Sequence, residues 1–527
     1  MPKFRSPPFP GPAFRSARPP GMLRVMSGAL PAGRVRRAVT AVASVTALAA
    51  ATVAIAAVPS AEAAGQRVTP YLTTTSDDGG RVVTRGLAPQ PRIAFTASSK
   101  PADETITVDE NTRYQAFSGG GASITDTTAY LLRGGTVTAA ARDAVMRKLF
   151  DPKTGIGLSF LRNPIGASDL SRPGNVSLDD TCCDVRDFGA NGYDTSVRLL
   201  TAQAKRLNPQ LRIAAAPWSA PGWMKDNLRM DHMGALKREY YPAYARYFVR
   251  YVQSYAAAGV KLDYVSVQNE PNCCHADDPP AMDYPGMVWT PAALTEFTRD
   301  YLFPAFRAAH LRTQVLVHDF NYGDWDNLGK QIVADPALRA DPLFGGIAWH
   351  GYWGDPATGS AVHEAYPSVP QFSTEHSGGT WVTNQQNDDL ADIVNYARNW
   401  SSSLTKWSLA VNQDHGPHNG GCGSCTGLVT IPEGGAHSGQ AEYTIEYYTT
   451  GHLTKFVRPG ARRIASNDGT AVRNVAWRNP DGSKALIAHN GGASEKSVRV
   501  VWGSQSFTYT LPAHTTATFT WQGIPAR

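Results

Sequence analysis

Two glutamates, Glu270 and Glu375, each stand at the carboxyl end of a short apolar run. The first closes LDYVSVQNE and the second lies in PQFSTEH, 105 residues further along the chain. If folding brings the two carboxyl groups together, one can protonate a leaving oxygen while the other meets an oxocarbenium-like carbon. A lone acid at a strand end is usually a solvated loop residue. The hypothesis of glycosidic bond cleavage therefore rests on the two glutamates together and not on either one alone.

Other apolar runs also end in polar or aromatic side chains that suit such a site. These residues are Arg162, Asp169, Trp218, Asn269, His350, Tyr352 and Asn412. An arginine beside a buried carboxylate favours the charged form of that carboxylate. Aromatic rings suit the apolar C–H face of a pyranose. Asp319, at the end of a further run, is interpreted as a structural hydrogen-bonding residue.

A strand-helix alternation positions these residues. Eight apolar runs between residues 114 and 412 alternate with amphipathic or Ala-rich stretches such as AAARDAVMRKLF and DDLADIVNYARNW. Such alternation predicts a parallel sheet with outer helices. Eight units in this length favour an α/β fold of the (β/α)8 barrel type, whose active site lies at the carboxyl ends of the strands.

The glycine-rich stretch SGGGAS, residues 118–123, invites comparison with a phosphate-binding loop. It has neither the lysine of GxxxxGK[ST] nor a complete GxGxxG. The sequence predicts a tight turn here, after a first strand in YQAFSG.

The two ends of the chain predict a second, all-β unit. Residues 455–527 alternate Thr and Val with apolar residues and are divided by Asn-Pro-Asp-Gly and Asn-Gly-Gly turns, which is typical of an antiparallel sheet. Residues 64–112 contain a further hairpin, which we expect to pair with those strands. The expected organisation is therefore a leader over 1–63, a barrel over 113–454, and a β-sandwich built from 64–112 and 455–527.

Residues 1–63 have the pattern of a secretory signal. RVRR precedes an Ala- and Val-rich core over 38–58, and Ala61-Glu62-Ala63 offers small residues for cleavage. A retained membrane anchor is the alternative for this segment. It holds eight of the 50 basic residues and one of the 44 acidic ones, so the remainder, with 42 and 43, is nearly neutral. We therefore expect a secreted protein with no nucleic-acid partner and no membrane insertion after cleavage.

Six cysteines form three local pairs, Cys182-Cys183, Cys273-Cys274 and Cys422-x-x-Cys425. An even number in an exported chain favours disulfides, although their connectivity cannot be read from spacing. Zinc is the weaker alternative, because His275, His415 and His418 are near but a second dithiol pair is lacking. No metal and no organic cofactor is expected.

Six motifs occur together in one order: RNPIGASD, APWSAPGWMK, VQNEP, AWHGYWGD, FSTEHSGG and WSLAVNQDHGPHNGG. In this the chain resembles glycoside hydrolase family 30, the glucosylceramidase-like retaining enzymes, over roughly residues 113–465. The resemblance implies a (β/α)8 barrel with an attached β-sandwich. It also implies that Glu270 is the acid/base and Glu375 the nucleophile of a double displacement.

The resemblance assigns further contacts. Asn269 is placed to bind the sugar 2-hydroxyl, Arg162 and Tyr352 to sit beside Glu375, and Asp169, Trp218 and Trp381 to hold the terminal sugar. One departure is His350-Gly351-Tyr352, where members of the family commonly have His-Trp-Tyr. Another is the Cys273-Cys274 insert, which indicates a stiffened entrance suited to a soluble saccharide.

The resulting hypothesis is a retaining β-glycosidase that cleaves β-glucosidic or related bonds in an oligosaccharide, polysaccharide or glycolipid. The alternative within enzymes is an endo-acting β-1,6-glucanase or β-1,6-galactanase. A carbohydrate-binding protein without catalysis is the alternative from another class, and the presence of both glutamates argues against it.

Overall fold

The structure is a computed structural model that describes residues 66–97, 100–273 and 283–525. The leader segment 1–63, Cys274 and His275 lie outside the described residues. Among the residues described, no helix is both long and apolar enough to cross a bilayer.

A barrel of eight parallel strands confirms the predicted (β/α)8 architecture. Strands one and eight pair directly, and parallel bridges Gln371–Ser401 and His376–Lys406 join strands seven and eight, which closes the barrel. Six side chains from strands two to seven form a buried cluster, as expected of a packed barrel. Barrel strands one to eight are Gly119–Ala122, Phe160–Ile165, Arg212–Pro217, Tyr264–Ser266, Gln314–Asn321, Phe344–His350, Gln371–Glu375 and Ser403–Lys406.

Helices cover the barrel. Helix Tyr241–Ala257 shows why they form: its aromatic residues recur every three or four positions and are all buried on one face. Side-chain caps begin several helices, as Thr138 does by accepting from the Ala141 amide. The α-helices are Asp126–Arg133, Ala139–Phe150, Thr195–Leu207, Tyr241–Ala257, Pro291–Glu296, Phe303–Ala308, Lys330–Val333, Pro336–Ala340, Ala357–Ala365, Gln385–Arg398 and Ile445–Thr454. Short 3-10 turns lie at Gly222–Met224, Arg238–Tyr240 and Tyr322–Asp324, and π-helical turns at Phe297–Leu302 and Trp325–Gly329.

The tight turn predicted for SGGGAS is wrong, because Gly119–Ala122 is barrel strand one. A side chain at Gly121 would overlap the carbonyl oxygen of Phe160, and one at Gly119 would lie 2.6 Å from that of Ser159. Strand two therefore approaches too closely for anything but glycine. A strand built mostly of glycines shows no apolar pattern, and YQA belongs instead to strand Glu104–Ala116.

Ten strands form the β-sandwich. Strand Arg67–Thr75 pairs antiparallel with Thr515–Trp521 near the end of the chain. Strand Glu104–Ala116 lies between Arg462–Ser466 and Lys496–Trp502. A buried apolar core that includes Val68, Ile106, Trp502 and Trp521 joins these strands. The ten are Arg67–Thr75, Val83–Pro89, Ile93–Ala94, Glu104–Ala116, Arg462–Ser466, Arg473–Arg478, Lys484–Asn490, Lys496–Trp502, Gln505–Leu511 and Thr515–Trp521.

A small third sheet corrects the expected end of strand eight. Strand eight stops at Lys406, and Ala410–Val411 pairs with Val429–Thr430, which pairs with Glu442–Tyr443. The run KWSLAVN thus leaves the barrel before Asn412, so Asn412 does not end a barrel strand.

Candidate active site

Glu270 and Glu375 meet at the carboxyl end of the barrel. An oxygen of each carboxyl and a ring nitrogen of His350 all lie within 4.8 Å of one another. Glu375 ends strand seven, and Glu270 follows strand four after a short turn. The side chain of Glu375 is 6% exposed and that of Glu270 15% exposed, so both face a partly enclosed space. The structure therefore brings the two acids together as a pair.

Arg162 is the buried cation at the centre of the site. Its Nη1 donates to Glu375 Oε2 at 2.7 Å, and its Nη2 donates to Asp319 Oδ2 at 2.7 Å and to Asn269 Oδ1 at 2.6 Å. Burial alone would lower the pKa of Arg162, but the Asp319 and Glu375 charges raise it. The guanidinium therefore stays charged and orients three side chains from three different strands or strand ends.

His350 bridges the acids. Its Nδ1 lies 2.7 Å from Glu270 Oε1 and its Nε2 lies 3.2 Å from Asp319 Oδ1. Both nitrogens face carboxylate oxygens, which is the arrangement that suits an imidazolium. Burial would lower the pKa of His350, but the Glu375 charge and the hydrogen bonds to Asp319 and Glu270 raise it to about 9. The stability that this proton contributes is complete below the ordinary pKa of 6.5 and is lost as pH rises through about 9.

Glu375 is held on both oxygens. The Tyr352 hydroxyl donates to Oε1 at 3.0 Å, while Arg162 binds Oε2. Burial raises the pKa of Glu375, and the charges of His350 and Arg162 oppose that rise. The two cations thus offset part of the effect of burial and favour the carboxylate form of Glu375.

Asp319 is buried beside Arg162 and His350. It accepts from Arg162, His350 and the Thr374 hydroxyl, and the Arg162 charge holds its pKa well below the usual range against the effect of burial. Its backbone has φ 48° and that of Glu270 has φ 42°, a left-handed conformation that is rare for such residues. The Glu270 amide donates to the Asp319 carbonyl at 3.0 Å, so the two strained segments hold each other.

An aromatic cleft of about 400 Å³ surrounds the acids. Trp353 and Trp381 are the most exposed of its rings, at 48% and 52%. Trp353 packs over Gly323 after strand five, whereas Trp381 lies beside the loop that follows strand eight, so the two rings flank Glu375 around the rim. The cleft lining comprises Asp169, Glu270, Cys273, Tyr284, Phe320, Asn321, Tyr352, Trp353, Glu375, Trp381, Trp407 and Cys422.

Trp353 lines the cleft close to Gly351. A side chain at Gly351 would overlap the Tyr396 hydroxyl, so Tyr396 would have to move to admit one. Trp353 Nε1 donates to Asp324 Oδ2 at 3.0 Å, and its backbone amide donates to Asn321. The sequence alone does not predict Trp353 as a cleft residue, because the orientation of its ring depends on contacts with Gly323 and Asp324.

Two predicted contact residues lie elsewhere than expected. Trp218 stacks on Trp407 at 4.9 Å and lies under the Arg162 guanidinium. Both rings are buried, and Trp407 is the one that contributes to the cleft lining. Asn412 is not brought to the cleft: its amide donates to Glu433 and its oxygen accepts from the Asp414 and Gly416 amides. Asn412 was predicted as a strand end, and the early exit of the chain from strand eight explains the difference.

Within the described ranges, the sulfur atoms of Cys182 and Cys183 and those of Cys422 and Cys425 lie at disulfide-bonding distance. Cys422 contributes to the cleft wall, and His415 contacts the Cys425 carbonyl through Nδ1 at 3.0 Å.

Asp169 lies in the cleft with Oδ2 accepting from Trp407 Nε1 at 3.3 Å. Burial, and next the Glu375 charge, raise its pKa from 3.8 to about 7. Ionisation of Asp169 therefore costs stability, and the cost grows as pH rises from 3.8 to about 7. We expect Asp169→Asn to be more stable than the wild type by about 2–4 kcal/mol at pH 8 and by less than about 1 kcal/mol at pH 4.

Urea unfolding of both proteins at the two pH values measures this difference. Glu495→Gln makes the same chemical change at an exposed position and is expected to alter stability by less than about 0.5 kcal/mol at either pH. A gain from Asp169→Asn that is equal at both pH values would contradict the assigned cause.

A (β/α)8 barrel with two carboxyl groups at the ends of strands four and seven is the architecture of a barrel glycosidase. The chain matches the Glycosyl hydrolase family 30 TIM-barrel domain over residues 117–456 and the Glycosyl hydrolase family 30 beta sandwich domain over residues 460–519. It therefore belongs to glycosyl hydrolase family 30 and is an enzyme that hydrolyses glycosidic bonds. The resemblance stated from the six sequence motifs is confirmed.

Named relatives lie in two groups. The Endo-1,6-beta-D-glucanase BGN16.3 of Trichoderma harzianum is 29% identical over 498 residues, which cover 88% of this chain and 96% of the relative. The solved structure of the endo-beta1,6-glucanase BT3312 is 29% identical with a TM-score of 0.76, covering 87% of this chain and 100% of that one. The Putative glucosylceramidase 1 of Caenorhabditis elegans is 27% identical over 481 residues, which cover 84% of this chain and 86% of the relative.

Proposed function

We propose that this protein is a retaining endo-β-1,6-glucanase that acts outside the cell. The observation that carries the proposal is the pair Glu270 and Glu375, in which one carboxyl oxygen of each residue lies within 4.8 Å of the other. Carboxyl groups about 5 Å apart suit a nucleophile and an acid/base, whereas an inverting pair needs roughly 6.5–9.5 Å to admit a water molecule. The likeness to endo-1,6-glucanases over most of the chain supports the choice of linkage.

In the first step Glu375 attacks the anomeric carbon while Glu270 gives its proton to the departing glycosidic oxygen. This forms a covalent glycosyl-enzyme and breaks the glycosidic bond. In the second step Glu270 takes a proton from water, and the resulting hydroxide displaces Glu375 from the same carbon. Two inversions leave the anomeric configuration unchanged. The two carboxyl groups supply both steps, so the proposal includes no metal and no organic cofactor.

The neighbouring groups have matching roles in this proposal. Arg162 and Tyr352 each donate to a different oxygen of Glu375, which keeps the nucleophile ionised and oriented. Asn269 Oδ1 accepts a hydrogen bond from Arg162, and this contact orients the side chain. The amide nitrogen of Asn269 then donates to the sugar 2-hydroxyl. Asp169 and Trp381 hold the terminal sugar, and Trp407 takes the place expected for Trp218.

Cleavage within a chain is supported by the aromatic rings that flank Glu375. Trp381 and Trp353 each rest one ring face on backbone and leave ring surface open to the cleft. Stacking on the C–H face of a sugar suits such surfaces, and two of them around the acids suit a saccharide that continues beyond the terminal unit. A lipid tail would need an apolar channel instead of separated rings.

The test is a comparison of substrates with the mature protein. β-1,6-glucan, β-1,6-galactan, β-1,3-glucan, β-1,4-glucan and glucosylceramide in detergent are incubated separately, and product sizes are followed with time. We expect oligosaccharides of several lengths from β-1,6-glucan, with β configuration in the first product by NMR. Release of glucose alone would contradict cleavage within the chain. Faster cleavage of glucosylceramide or galactan would contradict β-1,6-glucan as the substrate.

Hydrolysis of glucosylceramide is the second candidate, and the likeness to a putative glucosylceramidase over 84% of the chain supports it.

Export is tested separately, since the leader lies outside the described residues. Amino-terminal sequencing of protein from the culture medium is expected to begin at Ala64, and recovery only in the membrane fraction would contradict export.

A further inference from the structure

The segment Gly378–Val382 carries Trp381 on the rim of the cleft. The Trp381 ring packs against Gly379, where any side chain would overlap it. One face of the ring therefore rests on the backbone of its own turn, while the side chain remains 52% exposed. The position of this ring therefore depends on the backbone of the turn on which it packs.

On the barrel side, the loop after strand eight holds this segment. Thr380 donates its amide to the Ser424 carbonyl at 3.1 Å, and Thr426 donates to the Gly378 carbonyl at 3.0 Å. The Cys422–Cys425 disulfide closes that loop. These bonds fix one edge of the segment. Within the turn the Val382 amide donates to the Gly379 carbonyl at 3.1 Å, and a carbonyl oxygen can accept a second hydrogen bond.

On the other side, the β-sandwich supplies a further donor to this segment. Arg81 lies between strands Arg67–Thr75 and Val83–Pro89, and its Nη2 donates to the Gly379 carbonyl at 2.8 Å and to the Val382 carbonyl at 2.7 Å. One amino group thus uses both hydrogens to bind the carbonyls on either side of Trp381. Donors that carry charge make stronger hydrogen bonds than neutral ones.

Arg81 is held in place before it reaches the barrel. Asp77 Oδ1 accepts from the amides of Arg81 at 2.9 Å and Val82 at 2.6 Å, and Arg81 Nη1 donates to the Gly79 carbonyl at 3.1 Å. The same turn is bound to the start of helix Gln385–Arg398, since the Gln385 amide donates to the Gly79 carbonyl at 2.9 Å. The guanidinium is therefore preorganised, and little entropy is lost when it binds the segment.

We infer that Arg81 is a positioning residue for saccharide binding: from the β-sandwich, it fixes the turn that presents the Trp381 ring to the substrate. The inference rests on the proposed function, in which Trp381 contacts the sugar. It makes the sandwich a contributor to substrate affinity without any contact between Arg81 and the substrate.

Arg81→Met keeps the length of the side chain and removes its donors. We expect the KM for β-1,6-glucan to rise about fivefold while kcat changes less than about twofold, because the ring is displaced but both acids stay in place. Arg81→Lys keeps a donor and is expected to recover part of the affinity. Arg85→Met, on the exposed part of the next strand, is the matched control and is expected to leave KM unchanged.

Trp381→Ala, alone and combined with Arg81→Met, separates the inference from the proposed function. If Arg81 acts through Trp381, the double variant has the KM of Trp381→Ala alone. An unchanged KM in Trp381→Ala would overturn the proposed sugar contact, and the inference with it. A raised KM in Trp381→Ala with an unaltered KM in Arg81→Met, or with effects that multiply in the double variant, would overturn the inference alone. A loss of kcat in parallel with melting temperature would assign Arg81 a purely structural role.

Discussion

Glu375→Ala is expected to lower kcat on β-1,6-glucan by at least about 10⁴-fold, because no other group can form the glycosyl-enzyme on that face of the sugar. Its two carboxyl oxygens are held by Arg162 and Tyr352, which direct the side chain. The measurement is the initial rate of reducing-end release at saturating glucan.

The variant should remain folded. Burial raises the pKa of Glu375, so the charged side chain lowers the stability of the fold. When Glu375 is removed, Asp319 still pairs with Arg162. Circular dichroism and the melting temperature check this point, and Glu364→Gln on an exposed helical position is the control for loss of one acid. Undiminished turnover by folded Glu375→Ala would exclude the nucleophile role.

Glu270→Ala is expected to lower kcat on β-1,6-glucan by about 10²–10⁴-fold, the usual range for loss of a general acid. The effect should depend on the leaving group, since a glucan oxygen needs a proton to depart and a dinitrophenolate does not. With 2,4-dinitrophenyl β-glucoside the glycosyl-enzyme should therefore form at nearly the wild-type rate and then accumulate, which a burst of phenolate release would record.

A small anion provides the check on this assignment. Removal of the Glu270 side chain opens space beside the anomeric carbon, and azide needs no general base to attack there. Azide should speed the turnover of Glu270→Ala and yield a β-glucosyl azide, while Glu375→Ala under the same conditions has no intermediate to rescue. An equal loss on glucan and on the dinitrophenyl glycoside would show that Glu270 is not the acid.

The positions of the two acids could be predicted because the active-site residues of a (β/α)8 barrel lie at the carboxyl ends of its strands. Glu375 and His350 each follow an apolar run directly, and the parallel arrangement of these runs requires their carboxyl ends to meet at one face. The partner of Glu270 could be named on that basis before any distance was known. Periodicity along the chain was also sufficient for the outer helices, such as Ala139–Phe150 and Gln385–Arg398.

Strand one and the end of strand eight were not predictable in this way. Gly119–Ala122 is a strand because the backbone of strand two approaches it closely, and that approach has no local signature. Asn412 follows an apolar run like the others, but its run leaves the barrel for a small sheet with Val429–Thr430. Periodicity records which residues are buried and does not record which neighbour buries them.

Local sequence therefore determined the fold class, the two acids and most of the side chains around them, since each of these depends on a pattern within about ten residues. The tertiary structure alone decided which ring lines the cleft, how His350 shares its two nitrogens between Glu270 and Asp319, and that Arg81 reaches the turn of Trp381. Those features join residues from different strands and domains. Their geometry follows from packing across the whole molecule, which spacing along a single chain does not encode.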